Sequence, residues 1–325
     1  METPKSAVES SRGSMEHSSV RQESTPVTTT VIPSERALVQ RMKSKDDFHP
    51  SILKTAQSYG FQLKLGQKLE DTTQKIGLGE FCNYNFYRQL FAEFFGSFVL
   101  LTLGCSAITP YKGQGTDAHL NMASIILSWG FTVMTVVWTI AHVSGCFLNP
   151  AVTISMWVNS RIPVTRGVFY IVVQMIGTTA GAAFHRYLRG EKLNTTCQTL
   201  LNRELGITEF KGVIIEFFIT FILLFFVFAT TDHHRLDHGG SHAMMVGGVI
   251  IPLVNMAAEL TGASMNPARS FGPAVIHGNW DAHWVYWVGP ITGGIAGGLL
   301  YDLVFSERVI AWSRYLQVGH VDLND

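Results

Sequence analysis

Six apolar stretches punctuate the chain, at residues 89–109, 121–141, 164–184, 211–231, 243–260 and 283–305. Each is about the 20 residues that a helix needs to cross the hydrocarbon core of a bilayer. Polar connections separate them, so the pattern predicts six membrane-spanning helices. Internal Gly and Pro residues do not argue against this, because membrane helices tolerate them. Gly177 and Gly181, and Gly289, Gly293 and Gly297, recur every four residues. That spacing predicts close approach of neighbouring helix backbones. Two further apolar runs, VTISMWVNS after Ala151 and RSFGPAVI after Ala268, are too short to span.

The pattern repeats. Phe91-Ala92-Glu93-Phe94-Phe95 returns as Ile214-Ile215-Glu216-Phe217-Phe218, and Asn149-Pro150-Ala151 returns as Asn266-Pro267-Ala268. Each half therefore reads as a span with a Glu, a second span, an Asn-Pro-Ala triplet with its short run, and a third span. Three spans are an odd number, so the halves insert with opposite orientation. The predicted fold is an all-α membrane protein with six transmembrane helices and two re-entrant half-helices in an inverted repeat. In such repeats the functional site is expected near the midplane.

Composition sharpens the division of the chain. Overall it is 47% hydrophobic and 15% charged, where soluble domains average about 25% charged. Of the 48 charged side chains, 22 fall in residues 1–88, among Ser- and Thr-rich sequence. Residues 1–87 thus read as a polar tail, disordered by composition, with an amphipathic pattern over 60–80. Residues 88–307 read as the membrane domain and 308–325 as a short second tail. Lys+Arg and Asp+Glu balance at 24 each, and this removes the basic face that a nucleic-acid binder requires. Four Cys exclude a disulfide-dense scaffold. No nucleophile–base set, phosphate loop or metal-ligand spacing appears, so neither an enzyme, a cofactor nor a metal is expected.

Orientation follows from charge and from the count of spans. No secretory leader pattern precedes the first span. The first tail carries Arg41, Lys43, Lys45, Lys54, Lys64 and Lys68, which favours the cytoplasmic side. Six spans return the second tail to that side. The 186–211 connection then lies outside, where Asn194-Thr195-Thr196 is an N-glycosylation acceptor pattern. Arg186, Arg189, Lys192 and Arg203 in the same connection run against the positive-inside rule.

Each triplet is a helix start. Asn is a preferred N-cap and Pro a preferred first helical residue. Two half-helices entering from opposite faces would meet N-terminus to N-terminus, each end carrying about half a positive charge. Such a centre repels cations and protons. The Asn149 and Asn266 amides can donate to a passing oxygen, orient it and interrupt a proton wire.

Six spans, the inverted repeat and the segments SGCFLNPAV and TGASMNPARSFGPAVI resemble the aquaporins, the major intrinsic protein family. The resemblance covers about residues 88–307. It implies a homotetramer in which every protomer has its own pore, set in the plasma membrane. Its outer constriction of four residues maps, by counting from the triplets, onto Trp129, Val254, Ala263 and Arg269. An Arg at membrane depth costs about 2.5–3.5 kcal/mol even on the gentler scale, so a functional role is the default. Water-selective members usually have Phe on the second span and His on the fifth, where this chain has Trp129 and Val254. The Trp/Val/Ala/Arg set resembles the plant nodulin-like branch and predicts a wider, less polar opening that admits small uncharged solutes such as glycerol or urea. Ser270, Ala274, Tyr286 and Trp287 match the water-channel type instead, so a strictly water-selective channel is the alternative. A secondary transporter and a junctional structural protein are more distant ones.

Some single residues complete the picture. The resemblance implies that Glu93 and Glu216 accept backbone N–H groups of the re-entrant segments rather than relay protons, with Gln174 as a further backbone tether. Cys146 lies beside the first triplet and is a candidate for mercurial attack. Cys105 and Cys197 both fall toward the outer side, but spacing does not pair them. His233, His234, His238 and His242 cluster after the fourth span as a polar loop or a pH or metal gate. Ser44, after Arg41, is a candidate phosphorylation site, and Ser14 follows Arg12.

Overall fold

The computed structural model describes residues 76–108, 122–189, 197–232 and 240–306, all within the unit Lys64–Asp325. A 3-10 turn at Leu78–Cys82 leads into α1, Tyr84–Ile108. There follow α2, Met122–Ser144; α3, Pro150–Val158; α4, Val164–Arg189; α5, Glu209–Thr230; α6, His242–Thr261; α7, Pro267–His277; and α8, Val285–Leu300. A π-helical turn at Tyr301–Phe305 continues α8. Six of these helices are long and apolar enough to cross a membrane, whereas α3 and α7, of 9 and 11 residues, are not.

The helices fall where the apolar stretches predict them. α1 begins five residues before its apolar run, because helical hydrogen bonding continues through the more polar Tyr84–Arg88. Of the 60–80 segment, only residues 76–80 are described, and they lead into and begin the 3-10 turn. Ser14, Ser44, Asn194, His233, His234, His238 and the 308–325 tail lie outside the described residues.

Packing follows the repeat. α1 packs on α4 and α5 on α8, while α2 crosses α6 between the halves. Small residues sit at the crossings. A Cβ on Gly181 of α4 would stand 2.5 Å from the Phe98 carbonyl oxygen of α1, and one on Gly297 of α8 would collide with that of Phe221 on α5. At the α2–α6 crossing, Gly130 and Gly247 face each other in the same way. Close backbone approach replaces the hydrophobic drive that helix pairs lack in lipid. Large apolar side chains such as Phe91, Phe210, Ile214 and Leu303 are left on the outer faces, as a lipid solvent allows.

Among the described residues of the 186–211 connection, Arg186 and Arg203 have local partners. Arg186 Nη1 donates to the Ile276 carbonyl at 2.8 Å, at the C-terminal end of α7, where cations are favoured. Together with burial, that guanidinium holds the His277 pKa below its usual value. Arg203 reaches Glu209 at 3.5 Å and Asp281 at 3.6 Å. Charges satisfied in this way count for less in any argument from loop charge.

Candidate pore and selectivity constriction

The two triplets form the centre of the molecule, and both act as helix caps. Asn149 and Asn266 are extended, and their Oδ1 atoms accept from Ala151 N at 2.8 Å and from Ala268 N at 3.0 Å. Pro150 and Pro267 then open α3 and α7. The amides cross between the halves: Asn149 Nδ2 donates to the Met265 carbonyl and Asn266 Nδ2 to the Leu148 carbonyl, each at 2.8 Å. An amide nitrogen has two N–H groups, so each Asn retains a second donor. Both residues line the central cavity.

The segments before the triplets carry unusual backbone. Gly145, Cys146 and Leu148 have φ of 87, 54 and 53°, and Gly262, Ala263 and Met265 have φ of 83, 46 and 52°. Non-glycine residues in this region cost of order 1–3 kcal/mol each unless the surroundings hold them. Two buried carboxylates do so. Glu93 on α1 accepts from Ser144 Oγ at 2.6 Å, Phe147 N at 2.9 Å and Leu148 N at 2.7 Å. Glu216 on α5 accepts from Thr261 Oγ1 at 2.6 Å, Ser264 N at 2.9 Å and Met265 N at 2.8 Å. Neither carboxylate lines the cavity.

Sequence reasoning missed the residues that complete these anchors. Ser144 and Thr261 bridge each carboxylate to its loop, and Tyr170 and Tyr286 donate to the Ser144 and Thr261 carbonyls, both at 3.0 Å. The aligned segments SGCFLNPA and TGASMNPA place Ser144 opposite Thr261, so a register of the two repeats would have found that pair. Gln174 differs from its expected role. Its Nε2 donates to the Glu93 carboxylate at 2.8 Å and to Thr153 Oγ1 at 3.0 Å, so it tethers side chains rather than backbone.

A cavity of about 430 Å³ runs along the triplets. Trp129, Val254, Ala263 and Arg269 all line it, together with Cys146, and Thr230, Thr231 and His242 do so as well. Asn255, one residue after Val254, is exposed on the outer face of α6. Arg269 is 3% exposed. Its Nη1 donates to the Cys197 carbonyl at 2.5 Å, and its guanidinium carbon lies 4.8 Å from the centre of the Trp129 ring. Arg269 is the one Lys, Arg, Asp or Glu side chain among the described cavity-lining residues. The rest of the wall is largely Val, Leu, Ile, Met and Phe. Cys105 and Cys197 are disulfide-bonded, whereas Cys146 is free and buried. Among the described residues no cluster of three His, Cys, Asp or Glu is placed to hold a metal.

Six membrane helices in an inverted repeat, enclosing one passage whose centre is two facing helix N-termini, define a channel. The family model described as Major intrinsic protein matches residues 80–301, and the chain belongs to that family, whose members are channels and not enzymes. It is 38% identical to aquaporin-4 of Mus musculus over 224 residues, 69% of each chain. It is 37% identical to the lens fiber major intrinsic protein of Lithobates pipiens over 244 residues, 74% of this chain and 89% of that one. In fold it resembles the aquaglyceroporin from Plasmodium falciparum, with a TM-score of 0.61 at 24% identity, over 70% of this chain and 99% of the other.

Proposed function

We propose that this passive channel conducts water and small uncharged solutes such as glycerol or urea, while excluding protons and ions. The observation that carries the reading is the cavity wall at Arg269. The side chains of Val254 and Ala263 are apolar, and the Trp129 ring lies beside the guanidinium. A polyol can rest its carbons on such a wall and turn its hydroxyls to the Arg269 N–H donors. Cations lose their hydration shell there with no anionic replacement, and the Arg269 guanidinium and the facing N-termini of α3 and α7 oppose them. Glu93 and Glu216 serve as anchors of the re-entrant segments. One observation favours strict water selectivity instead: the guanidinium carbon lies 4.8 Å over the Trp129 ring, so two large side chains share one stretch of the wall.

We further read residues 1–87 and 308–325 as cytoplasmic tails of a homotetramer in the plasma membrane, flanking the channel domain 88–307, with Asn194 as an outer glycosylation site and Ser44 as an inner phosphorylation site. The Cys105–Cys197 disulfide supports an oxidising, non-cytoplasmic side for that end of α1.

Stopped-flow light scattering of proteoliposomes under water, glycerol and urea gradients tests the filter. Wild type should pass all three. V254H should lower glycerol permeability by about tenfold or more while water flow persists, the order of discrimination that a carbon's worth of room in a pocket commands. Exclusion of glycerol and urea by wild type would leave the water-selective reading.

A further inference from the structure

Two neighbouring residues near the end of α1 touch two different walls of the constriction. The first is Gly104, which lies against the Trp129 indole. A Cβ there would stand 2.5 Å from the indole Cη2 and 2.7 Å from Cζ3, and under 3.0 Å one of the two must move. The ring occupies the space that an absent side chain leaves. The second is Cys105, fully buried and disulfide-bonded to Cys197, whose carbonyl is the acceptor for Arg269 Nη1. Cys197 has φ of 74°, a conformation that a non-glycine residue keeps only when its surroundings hold it. Beyond it, Thr199 Oγ1 donates to Ser270 Oγ at 2.7 Å and Asn202 N to the Leu260 carbonyl at 2.9 Å. Those bonds fix the following residues, while the cross-link ties Cys197 itself to a membrane helix.

We propose that this end of α1 determines selectivity: the Cys105–Cys197 disulfide is a positioning element that fixes the acceptor of the Arg269 guanidinium, and Gly104 seats the Trp129 ring beside it. The inference rests on the reading of these residues as the filter. A buried guanidinium needs its hydrogen bonds satisfied, so its place follows that of its acceptor. Held between the Cys197 carbonyl and the indole face, it has one position. Once the acceptor is free to move, the three-methylene stem of Arg269 lets the charge swing, and the opening widens.

The test uses proteoliposomes of the full chain, reduced on both faces with a phosphine. Water supplies oxygen to the phosphorus, giving a phosphine oxide, and two electrons and two protons pass to the S–S bond to leave two thiols. Cleavage is read by mass spectrometry of alkylated peptides. The glycerol-to-water and urea-to-water permeability ratios should rise about three- to tenfold, the range that one hydrogen bond commands. A ratio near zero in wild type still serves, because the expected change is upward. The C105S/C197S double variant should show the raised ratio without reductant and no response to it, and G104A should lower the ratio by pushing the indole inward. Verified cleavage with an unchanged ratio would overturn the proposal. So would free thiols at both positions in the unreduced protein, or an equal response in the double variant. V254H run in parallel separates the two readings: a ratio moved by V254H and unmoved by reduction overturns this proposal alone, and a ratio moved by neither overturns both.

Discussion

Glu93 and Glu216 show how much a single side chain can organise in a membrane. Each is fully buried, and each carboxylate holds two consecutive backbone N–H groups of a loop whose neighbours have positive φ. E93Q replaces one acceptor by a donor that faces Leu148 N–H or Phe147 N–H. The expected cost is about 1–3 kcal/mol, that of a buried group left unsatisfied, read as a lower thermal unfolding temperature in detergent. E216Q should cost about the same, since Glu216 likewise accepts from a hydroxyl and two consecutive backbone N–H groups, although among the described residues it lacks a counterpart of Gln174. A silent E93Q would mean that the loop holds its shape without the carboxylate. The Glu positions were legible because their flanking Phe-Phe pairs recur between the halves. The Cys105–Cys197 bond was not, because 92 residues of chain separate the two and only the tertiary path of the connection brings them together. Counting from the second triplet puts Val254 on the cavity wall, because α6 runs into that triplet with no insertion.

At the scale of elements, α3 and α7 are too short to be stable alone, since isolated helices under about 12–15 residues are marginal even in favourable sequences. Their caps and cross-bonds supply what length does not. N149A removes the Ala151 cap and the bond to the Met265 carbonyl together. About 2 kcal/mol of stability should be lost, a cap at about 1 and a hydrogen bond at about 1, and N266A should behave alike. Chemical denaturation monitored by tryptophan fluorescence measures both. An N149A midpoint equal to wild type would show that the crossing bond contributes nothing. The triplets were readable as helix starts because Asn and Pro each have a local reason to be there. What the amide nitrogens bond to was not readable, because the acceptors lie in the opposite half.

For the whole molecule, packing depends on where glycines meet carbonyls. Gly181 against Phe98 and Gly297 against Phe221 leave no room for a side chain, whereas Gly248 of α6 has open space around its Cβ direction. G181L and G297L should prevent stable packing of their helix pairs and yield aggregated protein on size-exclusion chromatography. G248A should be tolerated, and helix propensity favours it by up to about 1 kcal/mol. A monodisperse, heat-stable G181L chain would contradict the packing described. Six spans and their order were plain from apolar runs and the doubled motif, because bilayer thickness sets one length for all of them. The exact starts were less plain: α1 is helical well before its apolar run begins.

The reciprocal amide bonds across the centre also impose an order on synthesis. Asn149 finds its partner carbonyl on Met265, 116 residues later. At about 5–20 residues per second, the first half waits roughly ten seconds, already threaded into the membrane, before its counterpart is made. During that interval the first re-entrant segment has its carboxylate anchor and its own cap, but no opposing half-helix. A ribosome that stalls before Met265 therefore leaves an unfinished chain with neither wall of a conduit closed, and the passage comes into being only as the last third of the protein arrives.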